Sequence, residues 1–263
     1  MINSVPTPPF EHSLNMTMQT VMTVGTWGLT LFFIIKAVKM AQQQNSLLPI
    51  FIILAGAAGS IAEPLYDIAF HLIWYIPGQW SLFTAFGLPQ PVWVMSAYII
   101  VFCGPALYIT EMLHRGMNRQ QFYKTFAIVL ATTAVFEAIA INGGTYAYYG
   151  PQPLRLLNYP VWVAILEAVF IMSFSIAAAL LRCHTTSKKQ HLLIFALFPC
   201  TFFFANFGTG FPTLIALNSG SQPSMALIYA CFAVTLLLVA LALELLCMCL
   251  PATKAKNLTL GSS

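Results

Sequence analysis

The chain has 263 residues, of which 59% are hydrophobic and only 7% charged, and its mean hydropathy is +0.80. A soluble domain carries about 25% charged residues, so the composition excludes an ordinary soluble protein and predicts an all-α, polytopic integral-membrane bundle. The net charge of +4 carries no nucleic-acid signal, because the basic residues sit in short stretches between apolar runs.

Seven apolar runs are long enough to span a bilayer, taking about 20 residues as the requirement. They cover approximately 17–38, 47–71, 91–113, 123–142, 159–181, 192–217 and 225–250. We read them as one transmembrane domain over 1–263. The N-terminal stretch has neither a basic n-region nor a small-residue cleavage site, so no cleaved signal peptide is expected. Lys36 and Lys39 follow the first run, Arg115, Arg119 and Lys124 the third, Arg182, Lys188 and Lys189 the fifth, and Lys254 and Lys256 the seventh. Alternating spans put these ten of the eleven basic residues on one side. The positive-inside rule makes that side cytoplasmic, with the N-terminus outside and the C-terminus inside.

The second run ends on Glu63-Pro64-Leu65-Tyr66-Asp67-Ile68-Ala69-Phe70-His71. Glu63, Asp67 and His71 recur every four residues, which on a continuous helix stacks them on one face. A carboxylate at bilayer depth costs roughly 2.5 to 3.5 kcal/mol, and two of them one turn apart repel, so the pair is expected to share a proton. Pro64 cannot donate to the carbonyl of Ser60, which predicts a kink beside the acids. The bland alternative is a buried pair that ties helices together.

The loop 72–90 carries no charge and five aromatic residues, including Trp74, Tyr75 and Trp80. It reads either as an interfacial aromatic belt or as a lid over the acids. The fourth run brings Glu137 to the same half of the bilayer, followed by Asn142. Residues 143–158 supply turn signals and Tyr146, Tyr148 and Tyr149. Arg155 is the one basic residue on the outer side, expected either to pair with a neighbour or to be a solvated loop arginine. The fifth run starts near Tyr159 and Trp162 and places Glu167 roughly 12 Å down. Asn206-Phe207-Gly208-Thr209-Gly210-Phe211-Pro212 interrupts the sixth run, and Asn206 reads as polar glue to another helix. Glu111 and Glu244 fall near the basic ends, as partners for basic loops.

The six cysteines lack metal-ligand spacing and read as small buried side chains. No metal or other cofactor is expected. Magnesium would need paired aspartate-rich motifs of the prenyltransferase kind, and Glu63-x-x-x-Asp67 stands alone. A retinal protein needs a lysine in the last span for its Schiff base, and there is none. The G-protein-coupled receptor signatures are absent, and haem ligation lacks paired histidines. The remaining chemistry is a protonated carboxyl under an aromatic cover. Such a site can protonate an olefin or epoxide and stabilise the carbocation with π faces.

The run Glu137-Ala-Ile-Ala-Ile-Asn-Gly-Gly-Thr-Tyr-Ala-Tyr-Tyr-Gly, with Pro153-Leu154 and Pro160-Val161-Trp162-Val163, resembles a pattern of integral-membrane carotenoid biosynthesis proteins, the hydratase and related group. Seven spans and intramembrane acids are also similar to the small membrane terpene cyclases and the membrane lycopene cyclases, although the Pro-x-Glu-Glu signature of the latter is missing. The resemblance implies isoprenoid chemistry on a lipid-soluble substrate. An enzyme of that kind would use Glu63 or Asp67 as proton donor, tuned by its carboxyl neighbour or His71. Glu137 would take a proton or stabilise the cation. Tyr66, Trp74, Tyr75, Trp80, Asn142, Tyr146, Tyr149, Arg155, Trp162, Glu167 and Asn206 would surround the substrate. The alternatives are a proton-coupled transporter that uses the same carboxylates as a relay, and a non-catalytic lipid-binding assembly factor.

Overall fold

A computed structural model of the chain describes residues 6–220 and 222–250. Lys254 and Lys256, which enter the orientation argument, lie outside the described residues. Among the described residues, seven helices are long and apolar enough to cross a membrane. The first is α1 (Met16–Gln44), capped by the Asn15 side chain on Met18 N and closed by Asn45 in the left-handed conformation.

The second, Leu48–Phe70, is α2 (Leu48–Gly59), a tight 3₁₀ turn at Ser60–Ala62 and α3 (Glu63–Phe70). The break falls just before Pro64, which sits in the first turn of α3, where a proline's missing N–H costs nothing. The third, Val94–His114, holds α4 (Val94–Tyr98), a π-helical turn at Ile99–Cys103 and α5 (Gly104–His114). The fourth is α6 (Arg119–Asn142), opened by an Asn118–Gln121 capping box. The fifth is α7 (Val161–His184).

The sixth, Lys188–Thr209, begins with a 3₁₀ stretch and continues as α8 (Ile194–Phe203) and a π-helical turn at Phe204–Thr209. Beyond it lies α9 (Phe211–Leu217). The seventh is α10 (Met225–Met248). The interruption in the sixth therefore falls at Phe204–Thr209, inside the expected stretch. Asn206, however, donates to the carbonyl of Phe202 on its own helix at 3.1 Å and so bonds locally rather than across helices.

The all-α expectation describes the bundle but not its loops. Short strands β1 (Leu72–Trp74) and β4 (Tyr146–Tyr148) pair antiparallel, with Ile73 opposite Ala147. Strands β2 (Ser81–Ala85) and β3 (Leu88–Pro91) form a hairpin, as do β5 (Arg155–Leu156) and β6 (Tyr159–Pro160). The β1–β4 ladder ties the loop after α3 to the loop after α6 and fixes both over one end of the bundle. Leu14 N donates to Pro77 O and Asn15 N to Gly144 O, so the start of α1 is at the same end. At the opposite end Arg182 and Arg115 meet Glu111, Arg119 meets Glu244, and Lys188 reaches Asn45. Glu111 and Glu244 are thus partners of basic residues near helix ends.

The central element is α7. Its side chains from Trp162 to Ala179 are almost all buried, and it packs against α5, α6, α8 and α10. A helix apolar all round belongs inside a bundle or in lipid, and α7 takes the inside. The apolar helices α1 and α10 leave Val21, Val24, Leu237 and Leu241 exposed. Gly59 lets the second segment close on the sixth, since a Cβ there would overlap the Phe198 ring. The reading of all cysteines as buried holds for Cys103; Cys183, Cys200 and Cys249 are exposed.

Candidate functional site

Under the β1–β4 ladder lies a cavity of about 40 Å³. Glu63 enters it from α3, Glu137 from α6 and Glu167 from α7. Each carboxyl accepts from a tyrosine. Tyr98 donates to Glu63 Oε2 at 2.6 Å, Tyr146 to Glu137 Oε2 at 2.5 Å, and Tyr159 to Glu167 Oε2 at 3.3 Å. Tyr66 and Tyr148 share a hydroxyl contact of 3.3 Å on the same wall. Burial pushes the Tyr146 and Tyr148 hydroxyls well above the usual phenol range, so both stay protonated. The other walls are aromatic and aliphatic, with Trp74, Trp93, Phe102, Phe136 and Phe202 prominent. Trp74 meets Trp93 edge-on at 5.1 Å and Tyr146 at 4.5 Å between ring centroids.

Asp67 stands behind Glu63 rather than on the cavity. Its Oδ2 accepts from Trp74 Nε1 at 3.1 Å and from Gln90 Nε2 at 2.7 Å. Its Oδ1 is buried with no donor among the described residues. A proton on Oδ1, shared with Glu63 one turn away, would satisfy that atom. The 2.6 Å Tyr98 bond to Glu63 lies at the short end of the O–H···O range.

His71 does not complete a helical stack. The helix ends at Phe70, and His71 takes the left-handed conformation at φ 58°. Its ring stacks on Tyr149, and Nε2 meets Asn218 Oδ1 at 3.0 Å. The i, i+4 spacing fails there because the chain turns into β1. Burial holds the imidazole below its usual range, against the Asn218 bond, which acts the other way.

The other expected residues divide. Tyr66, Trp74, Tyr146 and Glu167 reach the cavity with Glu63 and Glu137. Trp162 stands one layer out, stacked on Phe70 at 5.2 Å and bonded through Nε1 to Gln152 at 3.0 Å. Tyr75 packs edge-on against His12. Trp80 is 45% exposed on the β2–β3 hairpin and does not cover the acids. Asn142 donates to Ala138 O and Leu157 O and accepts from Asn158, which pins a loop. Arg155 finds no carboxylate; it donates to the carbonyls of Tyr148 and Gly150. Asn206 lies in the sixth segment, away from the cavity lining.

Tyr98, Trp93 and Gln90 were not singled out from the sequence. Tyr98 carried one usable signal, a hydroxyl in the middle of an apolar span. Gln90 meets Asp67, and Trp93 reaches the cavity, because the β2–β3 hairpin packs beside α3. No family model, curated protein or solved structure matches the chain.

Proposed function

We propose that the chain is an integral-membrane enzyme that processes a lipid-soluble isoprenoid by acid–base catalysis, as a terpene cyclase, hydratase or isomerase. One observation carries this reading: three tyrosine-bonded carboxyls converge on one cavity whose remaining walls are aromatic and aliphatic. The seven long helices would cross the bilayer with the N-terminus outside, as the gathering of basic residues at the opposite end supports. The resemblance of residues 137–163 to carotenoid-biosynthesis proteins points to the same substrate class.

In this reading the proton of the pair passes from Asp67 to Glu63, which delivers it to an olefin carbon or epoxide oxygen. The π bond or the C–O bond supplies the electron pair and leaves a carbocation, which the faces of Trp93, Phe102 and Tyr148 stabilise. Glu137, across the cavity, takes the proton released when the cation collapses to a new double bond. His71, turned away to Asn218, has no part in the transfer. A cavity of about 40 Å³ holds a few waters and no isoprenoid, so the substrate must displace wall side chains on entry. Val101 and Phe136 line the cavity and are themselves only partly buried, which supports entry through the wall between the third and fourth helices.

A proton-coupled carrier needs titratable groups through the depth of the bundle. Here the remaining membrane-depth acids, Glu111 and Glu244, are bound by arginines at the far end, which favours the enzyme. The test is the lipid extract of a heterologous host fed isoprenoid precursors, with and without the protein. A cyclic, hydrated or isomerised product that depends on the protein is expected. Unchanged lipids with altered solute flux would establish the carrier instead.

A further inference from the structure

At the basic end of the bundle, a groove of about 460 Å³ lies between α1 and α5. Lys36 and Lys39 line it from α1, and Tyr108, Glu111 and Arg115 from α5 and its end. Glu111 is already satisfied. Its Oε1 accepts from Arg115 Nε at 3.0 Å, and its Oε2 accepts from Arg182 at 2.9 Å and Gln44 at 2.9 Å. Lys36, Lys39 and Arg115 therefore share the groove with one carboxylate, three positive charges against one negative. Neither lysine has a carboxylate partner among the described residues. They stand three residues apart, on one face of the helix, and Lys36 is held 5.6 Å from the centre of the Phe32 ring. Arg115 is 77% exposed in its side chain and uses only Nε on Glu111, which leaves its outer N–H groups free to point into the groove.

We propose that this groove binds the phosphate of an anionic phospholipid headgroup. Phosphate chemistry follows from the charge excess and from the guanidinium fork beside two ammonium groups. The lipid origin follows from what borders the groove. Phe32 and Ile35 on α1 and Tyr108 and Met112 on α5 are all more than 40% exposed, an apolar flank that acyl chains would cover and a soluble phosphate would not. Basic pockets between membrane helices are suited to such headgroups, and each lysine near the surface adds about a fivefold gain in binding. The site rests on the bilayer reading of the seven helices and not on the acid chemistry at the other end.

The full chain, purified in a neutral detergent, would be titrated with dioleoyl phosphatidylglycerol, and retained lipid counted by native mass spectrometry. Phosphatidylcholine and inorganic phosphate serve as comparisons. Wild type should retain phosphatidylglycerol and release phosphatidylcholine. The double variant Lys36→Gln, Lys39→Gln should bind about 30-fold more weakly, and Lys36→Arg, Lys39→Arg should restore retention. Both lysines are exposed, and matched unfolding curves would show that the variants fold. Equal retention by the glutamine variant, equal retention of phosphatidylcholine, or displacement of the lipid by inorganic phosphate at equal concentration would each overturn the proposal. A chain that inserts in membranes but retains no phosphatidylglycerol loses only this groove; a chain that does not insert loses the seven-span reading itself.

Discussion

Replacing Tyr98 with phenylalanine removes one hydroxyl and almost no volume. That hydroxyl donates to Glu63 Oε2 at 2.6 Å, between side chains that are 4% and 7% exposed. A hydrogen bond to a charged group contributes about 1.5–3 kcal/mol and a neutral one about 0.5–1.5 kcal/mol. With the proton of the pair on Asp67, whose Oδ1 has no donor among the described residues, and the charge on Glu63, Tyr98→Phe should cost about 2 kcal/mol. In a Glu63→Gln background the same change breaks only a neutral bond, and its cost should fall to about 1 kcal/mol. The coupling energy of the cycle is then about 1 kcal/mol. Reversible unfolding in mixed micelles, followed by tryptophan fluorescence, measures all four proteins. If Tyr98→Phe costs the same in both backgrounds, Glu63 carries no charge and the proton does not rest on Asp67.

Glu63→Gln and Asp67→Asn should each lower product formation by about two to four orders of magnitude at matched expression, while Glu244→Gln changes it little; wild-type turnover in both pair variants would make the pair structural. Trp162→Ala should destabilise by about 3–5 kcal/mol, because a fully buried ring, its Phe70 stack and the Gln152 bond are lost together; a thermal-unfolding midpoint close to wild type would contradict this. His71 titrates below its ordinary range when folded, so the unfolded chain binds the proton first as pH falls. Its contribution to stability is complete above about pH 6.5 and is lost progressively below it. His71→Gln should remove that part of the pH dependence when unfolding is compared at about pH 7.5 and about pH 5. Reporter fusions at Gln43, Asn118, Ser187 and the C-terminus should all report cytoplasm, and one on the far side would overturn the orientation.

Much of the site could be read in the sequence because ionisable groups in apolar runs are few. Glu63, Glu137 and Glu167 stand out against uniformly apolar surroundings, and span counting alone brings them to one half of the bilayer. The geometry between them was not legible. Helical spacing put His71 with Glu63 and Asp67, but the helix stops at Phe70 once the chain turns to pair with Tyr146–Tyr148. The register of that ladder is set by a partner about seventy residues away, which local periodicity does not carry. The same ladder decides that Trp74 faces the acids while Trp80, six residues on, faces outward.

By itself the sequence determined the seven apolar helices, the break beside Pro64 and the division of charge between the two ends, because each depends on local composition and on the missing proline donor. Only the tertiary structure decided which apolar helix is central. Mean hydropathy is 2.3 for α7 and 2.7 for α10, yet α7 is enclosed and α10 is open along one side. A side chain that contacts lipid and one that contacts another helix are equally apolar, so no hydropathy pattern separates them. The carboxyl on α7 therefore became part of a shared cavity through packing.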